Sequence, residues 1–321
     1  MENFQIYRDI QARTGGDIYI GVVGPVRTGK STFIRRFMEI AALPQMSERK
    51  QAEIRDQLPL SGSGKIITTV EPKFIPKEAV SVSLGTEQKV RVRLIDCVGF
   101  LVKDAGGNME DGKERMVRTP WSEKAIPFHE AARIGTQKVI EEHSTIGLVI
   151  TSDGSFGELP RDNFTEAEEK TIQELKKQHK PFLVLVNSQM PYKEAAQKAV
   201  SEIQEKYQVT ALSVNCDQLH KEDIAQILEK ILYEFPVSQI QFFIPKWVEM
   251  LPVDHELKKQ LLEQIREKTK HLFQIRDITK EAIQLSGPYV KDSLLEDTGL
   301  SDGTVRVRVR IQDKYYYQML S

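Results

Sequence analysis

The sequence predicts an α/β fold, a mostly parallel open sheet with helices on both faces, followed by a smaller α+β region that reads as incomplete. Three observations predict it. Apolar runs of strand length recur at 18–23, 146–151, 181–187 and 209–214 with helix-like stretches between them, and such alternation calls for a parallel sheet covered on both sides. The first run passes directly into Gly24-Pro25-Val26-Arg27-Thr28-Gly29-Lys30-Ser31 and then into a helical segment starting at Thr32. That spacing, between a strand and a helix, is a phosphate-binding loop. After Pro236 the alternation stops, which places a boundary there and divides the chain into 1–236 and 237–321.

In chain order, Phe4, Ile6, Ile10 and Ala12 ahead of Gly15-Gly16 fit a short leading helix or a frayed terminus. In the loop that follows, Gly24 and Gly29 let the backbone bend so that its amides approach phosphate oxygens, and the next helix points its positive end at them. The candidate phosphate-contacting residues are therefore Gly24, Pro25, Val26, Arg27, Thr28, Gly29, Lys30, Ser31 and Thr32. Lys30 reaches the outer phosphates, and the Ser31 hydroxyl is a ligand for Mg2+. Residues 47–57 are charged and helical in character, and 58–65, rich in glycine and serine, form a loop.

The segment 66–75 has strand character and carries Thr68-Thr69. In the GTPase-like class, a threonine at this point closes over the outer phosphate and its metal. Either Thr68 or Thr69 serves, with Thr69 preferred, unless both are there for strand propensity alone. A strand at 90–99 ends in Asp96-Cys97-Val98-Gly99. Asp96 is placed to serve the metal, and the Gly99 amide to sense the terminal phosphate. Phe100 stands where many GTPases have a glutamine that orients the attacking water, so another group must do so.

Residues 103–124 are polar and glycine-rich and read as one long loop. A helix over 127–140 starts with His129-Glu130, either a proton-transfer pair or a solvent-exposed helix start. Asp153-Gly154 turns the chain after the next strand, and helices at 165–179, 192–207 and 221–235 complete the domain. The strand at 181–187 delivers Asn187-Ser188-Gln189-Met190-Pro191, where a guanine reader would carry Asn-Lys-x-Asp. No carboxylate remains to accept from guanine, so ATP is the expected nucleotide, bound in part by Asn187 and Ser188.

Beyond Pro236, Pro245-Lys246-Trp247-Val248 and Leu251-Pro252 read as a linker or hinge. Residues 254–284 place Leu257, Leu261, Leu262, Ile265, Leu272, Ile275 and Ile278 at amphipathic spacing for one or two helices. Strict alternation over 304–311 predicts a strand with one apolar face and one cationic face. Arg306, Arg308 and Arg310 on that face meet solvent, acidic lipid or another subunit. Asp313 caps a final helix over 314–320.

The formal net charge of −1 gives no field that would draw nucleic acid. Cys97 and Cys216, the two cysteines, have no metal or redox spacing, as expected in a reducing compartment. The charged N-terminus is unlike a signal peptide, and no apolar run is long enough to span a bilayer. The expectation is a cytoplasmic protein with peripheral membrane contact only.

With these motifs the chain resembles the stage IV sporulation protein A family of endospore-forming bacteria. The resemblance rests on Thr14-Gly15-Gly16-Asp17-Ile18-Tyr19, Val26 to Phe33, Glu71-Pro72-Lys73-Phe74 and Thr119-Pro120-Trp121. It extends through Pro127-Phe128-His129-Glu130-Ala131-Ala132, Glu142-His143-Ser144-Thr145-Ile146-Gly147 and Tyr233-Glu234-Phe235-Pro236-Val237. It implies a Mg2+-dependent ATPase of the GTPase-like phosphate-loop class that self-associates into the basement layer of the spore coat. The implied location is the outer forespore membrane surface inside the mother cell, and the implied partners are a small amphipathic membrane-anchor peptide and other coat proteins. By residue matching, Lys30 contacts the outer phosphates, Ser31 and Asp96 serve the metal, and Thr68 or Thr69 senses the terminal phosphate. The family carries a further C-terminal region that engages the anchor and that this sequence lacks, so 237–321 reads as a truncated middle domain. The competing expectations are a monomeric GTPase-like switch that binds an effector and a small-molecule phosphotransferase.

Overall fold

The computed structural model describes residues 17–59, 71–82, 90–103, 105, 109–110, 113–157, 159–299 and 303–320. The leading helix, most of the loop at 58–65, and Thr68 and Thr69 with the start of their expected strand lie outside these residues. The chain divides into two compact units between Ile231 and Leu232.

The first unit is built on a six-stranded sheet. Its strands are β1 (Asp17–Val23), β2 (Lys73–Val82), β3 (Val90–Asp96), β8 (Ile146–Ser152), β9 (Phe182–Asn187) and β10 (Ala211–Val214). They lie in the order β10-β9-β8-β1-β3-β2, all parallel except the β2–β3 pair. The inner strands are continuously apolar because both their faces are covered, and Leu148, Val149, Ile150 and the whole of Leu183–Val186 are buried. The helices are α1 (Lys30–Phe37), α2 (Glu48–Arg55), α3 (Phe128–Lys138), α4 (Asp162–Lys177), α5 (Glu194–Tyr207) and α6 (Lys221–Tyr233). This is the expected architecture, and it brings the loops after β1, β3, β8, β9 and β10 to the carboxyl edge of the sheet, where α/β folds bind ligands.

Two segments of this unit differ from expectation. Of the strand expected at 66–75, the described residues show β2 from Lys73, and it runs on past the expected end to Val82. The strand continues through Pro76 because β2 is the sheet's edge strand and its register slips between Ile75 and Val80, where a proline is tolerated. The long loop expected at 103–124 contains two short hairpins, β4 (Met109–Glu110) with β5 (Lys113–Glu114) and β6 (Met116–Thr119) with β7 (Ser122–Pro127). Pro127 thus closes a strand, and the following helix starts one residue later, at Phe128.

The second unit has a three-stranded sheet, ordered β11 (Gln239–Phe243), β13 (Thr304–Ile311) and β12 (Val290–Gly299). Its helices are α7 (Lys246–Glu249), α8 (Glu256–Thr269), α9 (Lys280–Ile283) and α10 (Asp313–Leu320). The expected hinge at 245–252 is instead part of the core. Pro245 precedes the first turn of α7, and Val248 and Leu251 pack with Leu257, Leu261, Val309 and Ile311. A proline is tolerated before a helix because no intrahelical N–H is lost there. The cationic face of β13 is not bare. Arg306 pairs with Asp297 at 2.5 Å, Arg308 pairs with Glu296, and Arg310 reaches Asp292 through Nε at 2.6 Å. All three carboxylates lie on β12, a strand that the sequence reading did not anticipate.

Candidate nucleotide site

The loop between β1 and α1 has the geometry its sequence demands. Gly24 has φ +131°, and a Cβ there would sit 2.3 Å from the Ile150 carbonyl oxygen. Gly29 caps α1, whose first turn contains no acidic residue, so the positive end of the helix is not neutralised locally. Inside the loop, Thr28 Oγ1 donates to Pro25 O at 2.9 Å, and the Val26 amide donates to Phe100 O at 3.0 Å. The second bond, with the Pro25–Phe100 bridge, ties the loop to the chain that leaves β3. Thr32 lies in the first turn of α1, and Arg27 takes a left-handed backbone with φ 63°.

Lys30 is buried under this loop, where Nζ donates to Pro25 O at 2.5 Å and to Gly24 O at 3.4 Å. Burial pushes its pKa down, and the nearby Cys97 and Asp96 oppose that shift. Asp96, at the end of β3, accepts a hydrogen bond from Ser31 Oγ through Oδ2 at 2.9 Å. Its other oxygen, Oδ1, is buried with no hydrogen-bond partner. Burial raises the carboxyl pKa against the pull of Lys30 and the Ser31 hydroxyl. A buried, unpartnered carboxylate oxygen beside a hydroxyl is the hard-oxygen donor set that Mg2+ takes, so the residues fit that ion. Cys97, next in the chain, is buried with its thiol against Val22 O, and desolvation pushes that thiol up to about 11, which leaves it protonated and inert near neutral pH.

Gly99 has φ +92°, and a Cβ there would lie 2.0 Å from Gly24 O and 2.8 Å from Lys30 Nζ. The residue therefore touches both the loop and its lysine. Gly99→Ala is expected to destabilise the protein by about 1–3 kcal/mol, because both the backbone angle and the space exclude a side chain. A thermal melt checks this, and an unchanged Tm would mean that the contact is looser than drawn.

At the other end of the site, Asn187 joins three loops. Its Nδ2 donates to Thr28 O at 3.0 Å, and its Oδ1 accepts from the Cys216 amide at 3.0 Å. Ser188 is buried, gives its amide to Val214 O at 2.9 Å and accepts the Met190 amide on Oγ at 3.0 Å. The structure thus brings together Gly24 through Ser31, Asp96, Gly99 and Asn187, with Ser188 behind them. Phe100 packs in an apolar cluster with Val26, Val102, Phe164 and Ala167. His129 Nδ1 stands 2.5 Å from Glu114 Oε1 on β5, so its partner lies in the hairpins rather than in the phosphate loop.

Two groups at this edge escaped the sequence reading. Arg161 forks onto buried Glu168 on α4 at 2.5 and 2.9 Å and also donates to Thr151 Oγ1 at 3.0 Å, at the end of β8. The turn after β10 is the other. Asn215 Oδ1 accepts the amides of Asp217 and Gln218 at 3.0 and 3.2 Å, and its Nδ2 donates to Gln189 O at 3.3 Å. An Asn-x-x stretch after a strand is the available signal for such a side-chain turn.

Residues 1–236 match the family model described as "Stage IV sporulation protein A, ATPase domain", and residues 237–321 match the one described as its middle domain. The chain belongs to the stage IV sporulation protein A family. It is 43% identical to the stage IV sporulation protein A of Bacillus subtilis (strain 168) over all of its own length. It is 44% identical to that of Clostridioides difficile (strain 630) over 99% of its length. It is 41% identical to that of Bacillus anthracis, again over its whole length. The chain spans 65% of the length of each of these family members. No helix among the described residues is long and apolar enough to cross a membrane.

Proposed function

We propose that residues 1–236 form an ATP-hydrolysing domain, residues 237–321 a separate middle domain, and that hydrolysis drives self-association of the protein into the basement layer of the spore coat. The observation that carries the hydrolytic reading is the Ser31–Asp96 pair, with its buried and unpartnered carboxylate oxygen, beneath a loop closed over Lys30. The amides of the loop and of the first turn of α1 bind the phosphates, and Gly24 and Gly29 give the backbone the shape for it. Lys30 orients the outer phosphates and neutralises the charge that builds on them as the terminal phosphoryl leaves. Ser31 and Asp96 hold Mg2+, which supplies further charge neutralisation when bound, together with Thr68 or Thr69. The Gly99 amide, fixed against Lys30, reports on the terminal phosphate. The Phe100 side chain, packed in its apolar cluster, has no donor or acceptor with which to orient water.

ATP rather than GTP follows from the loop at 187–190, where Ser188 and Met190 leave no carboxylate for the guanine N1–H and 2-amino group. The coat location rests on family membership. Our reading is a protein of the mother-cell cytoplasm at the forespore membrane surface, peripherally attached, with a small amphipathic anchor peptide and other coat proteins as partners and no nucleic acid. ATP and GTP turnover measured side by side, with sedimentation in the presence and absence of ATP, tests both halves. ATP is expected to be favoured at least tenfold and to bring protein into the pellet. A preference for GTP sinks the nucleotide assignment in favour of a GTPase-like switch, and nucleotide-independent sedimentation detaches hydrolysis from assembly.

A further inference from the structure

The sheet order says at which end of the site the base lies. Ser31, Asp96 and Gly99 mark the reactive end, on the β3 side of β1, whereas β8, β9 and β10 stand on the other side. The base therefore lies at the carboxyl ends of β9 and β10, where the loop at 187–190 and the turn at 214–218 are cross-tied by Asn187 Oδ1 to the Cys216 amide and by Asn215 Nδ2 to Gln189 O. A 6-oxopurine shows that edge a carbonyl and an N1–H, whereas a 6-aminopurine shows an amine and a bare N1. Accepting the first requires a hydrogen-bond donor for the carbonyl, which this turn would supply from its amides.

The three consecutive amides of Cys216, Asp217 and Gln218, in the turn after β10, are already committed. The Cys216 amide donates to Asn187, that of Asp217 to Asn215 Oδ1 at 3.0 Å, and that of Gln218 is shared between Asn215 Oδ1 at 3.2 Å and Asn215 O at 3.1 Å. We infer that Asn215 is a specificity-determining residue, which withholds the donors of this turn from the base and so rejects 6-oxopurine nucleotides at C6. The missing carboxylate at 188–190 acts only on N1–H and the 2-amino group, so the two devices are separate. A buried carbonyl that gains no donor on binding is disfavoured however well the rest of the ligand fits.

This inference rests on the ATP reading above, and its test keeps the two apart. Turnover and equilibrium binding are measured on the unaltered protein with ATP, ITP, GTP and 2,6-diaminopurine riboside triphosphate. ITP, which lacks guanine's 2-amino group, is expected to be as poor as GTP, about tenfold or more below ATP, with the diaminopurine nucleotide close to ATP. Asn215→Ala frees the Asp217 amide, while the Gln218 amide keeps the main-chain carbonyl of residue 215, and is expected to lower the ATP-to-ITP ratio by about three- to tenfold. Asn215→Asp keeps an acceptor for the Asp217 amide, while giving up the Nδ2 bond to Gln189 O, and is expected to hold the ratio near that of the unaltered protein. ITP handled within about twofold of ATP, a diaminopurine nucleotide as poor as GTP, or an unchanged ratio in folded Asn215→Ala overturns the inference. If Asn215→Ala does not fold, the analogue series on the unaltered protein still decides. ATP turnover indifferent to Lys30→Ala defeats the underlying reading, whereas Lys30-dependent ATP turnover with ITP equal to ATP defeats only the role of Asn215.

Discussion

Lys30→Ala is expected to lower ATP turnover by at least about a hundredfold with no loss of thermal stability. The first half follows from where the amine sits. It is buried beneath the phosphate loop, bonded to the carbonyls of Pro25 and Gly24, and within 2.8 Å of where a Cβ on Gly99 would lie. A positive charge held in a site that excludes water acts on developing phosphoryl charge with little screening, and removing one such fixed group costs about 10²–10³ in rate. The second half follows from burial, which already disfavours the ammonium form. Alanine removes that desolvation cost together with two hydrogen bonds, so the two effects offset each other. Measured kcat, nucleotide Kd and Tm separate the outcomes. Turnover within a few fold of the unaltered protein would mean that the loop is structural, and a collapse in Tm would mean that the amine is a strut.

Glu168→Ala is expected to act the other way round, costing about 3–5 kcal/mol of folding stability. Glu168 is 1% exposed, and both its oxygens are taken by Arg161, which is held in turn against Thr151 and the Ser152 carbonyl. Removing the carboxylate strands a guanidinium that cannot be deprotonated and has little access to water. Replacing both partners by methionine should recover most of the loss, since the pair itself is worth little once its desolvation is counted. Denaturant midpoints for the two single variants and the double variant decide the matter. A loss below about 1 kcal/mol in Glu168→Ala would mean that water reaches Arg161.

The part of the site that was legible in the sequence is the part whose residues are adjacent in the chain. The run Val22-Val23-Gly24 through Ser31 carries strand, turn, cation and hydroxyl within one span, and Asp96 and Gly99 come with a strand just before them. Asn187 was legible because a fully apolar strand delivers it. What escaped depends on pairs that only the fold creates. Asp292, Glu296 and Asp297 make β12 read as a polar loop until Arg310, Arg308 and Arg306 stand opposite. Arg161 and Glu168 look like ordinary surface charges until α4 buries Glu168 and the residue just before the helix forks onto it. Pro245 and Pro252 punctuate the sequence as a hinge would, but Val248 and Leu251 between them supply the apolar contacts of a core. Asn215 is an unremarkable polar residue until its turn shows which amides it holds.

The matched charges of β12 and β13 also govern how that sheet face meets anything else. Three cations alone would form a monopole, felt by an anionic surface out to about a Debye length of 8–10 Å. Set against three carboxylates, they form a row of short dipoles whose field dies away within a few ångströms of the side chains. Such a face draws no acidic partner from a distance. It can be read only at contact, by a surface that offers its own alternating charges in the same register, and salt in the surrounding solution changes that reading little.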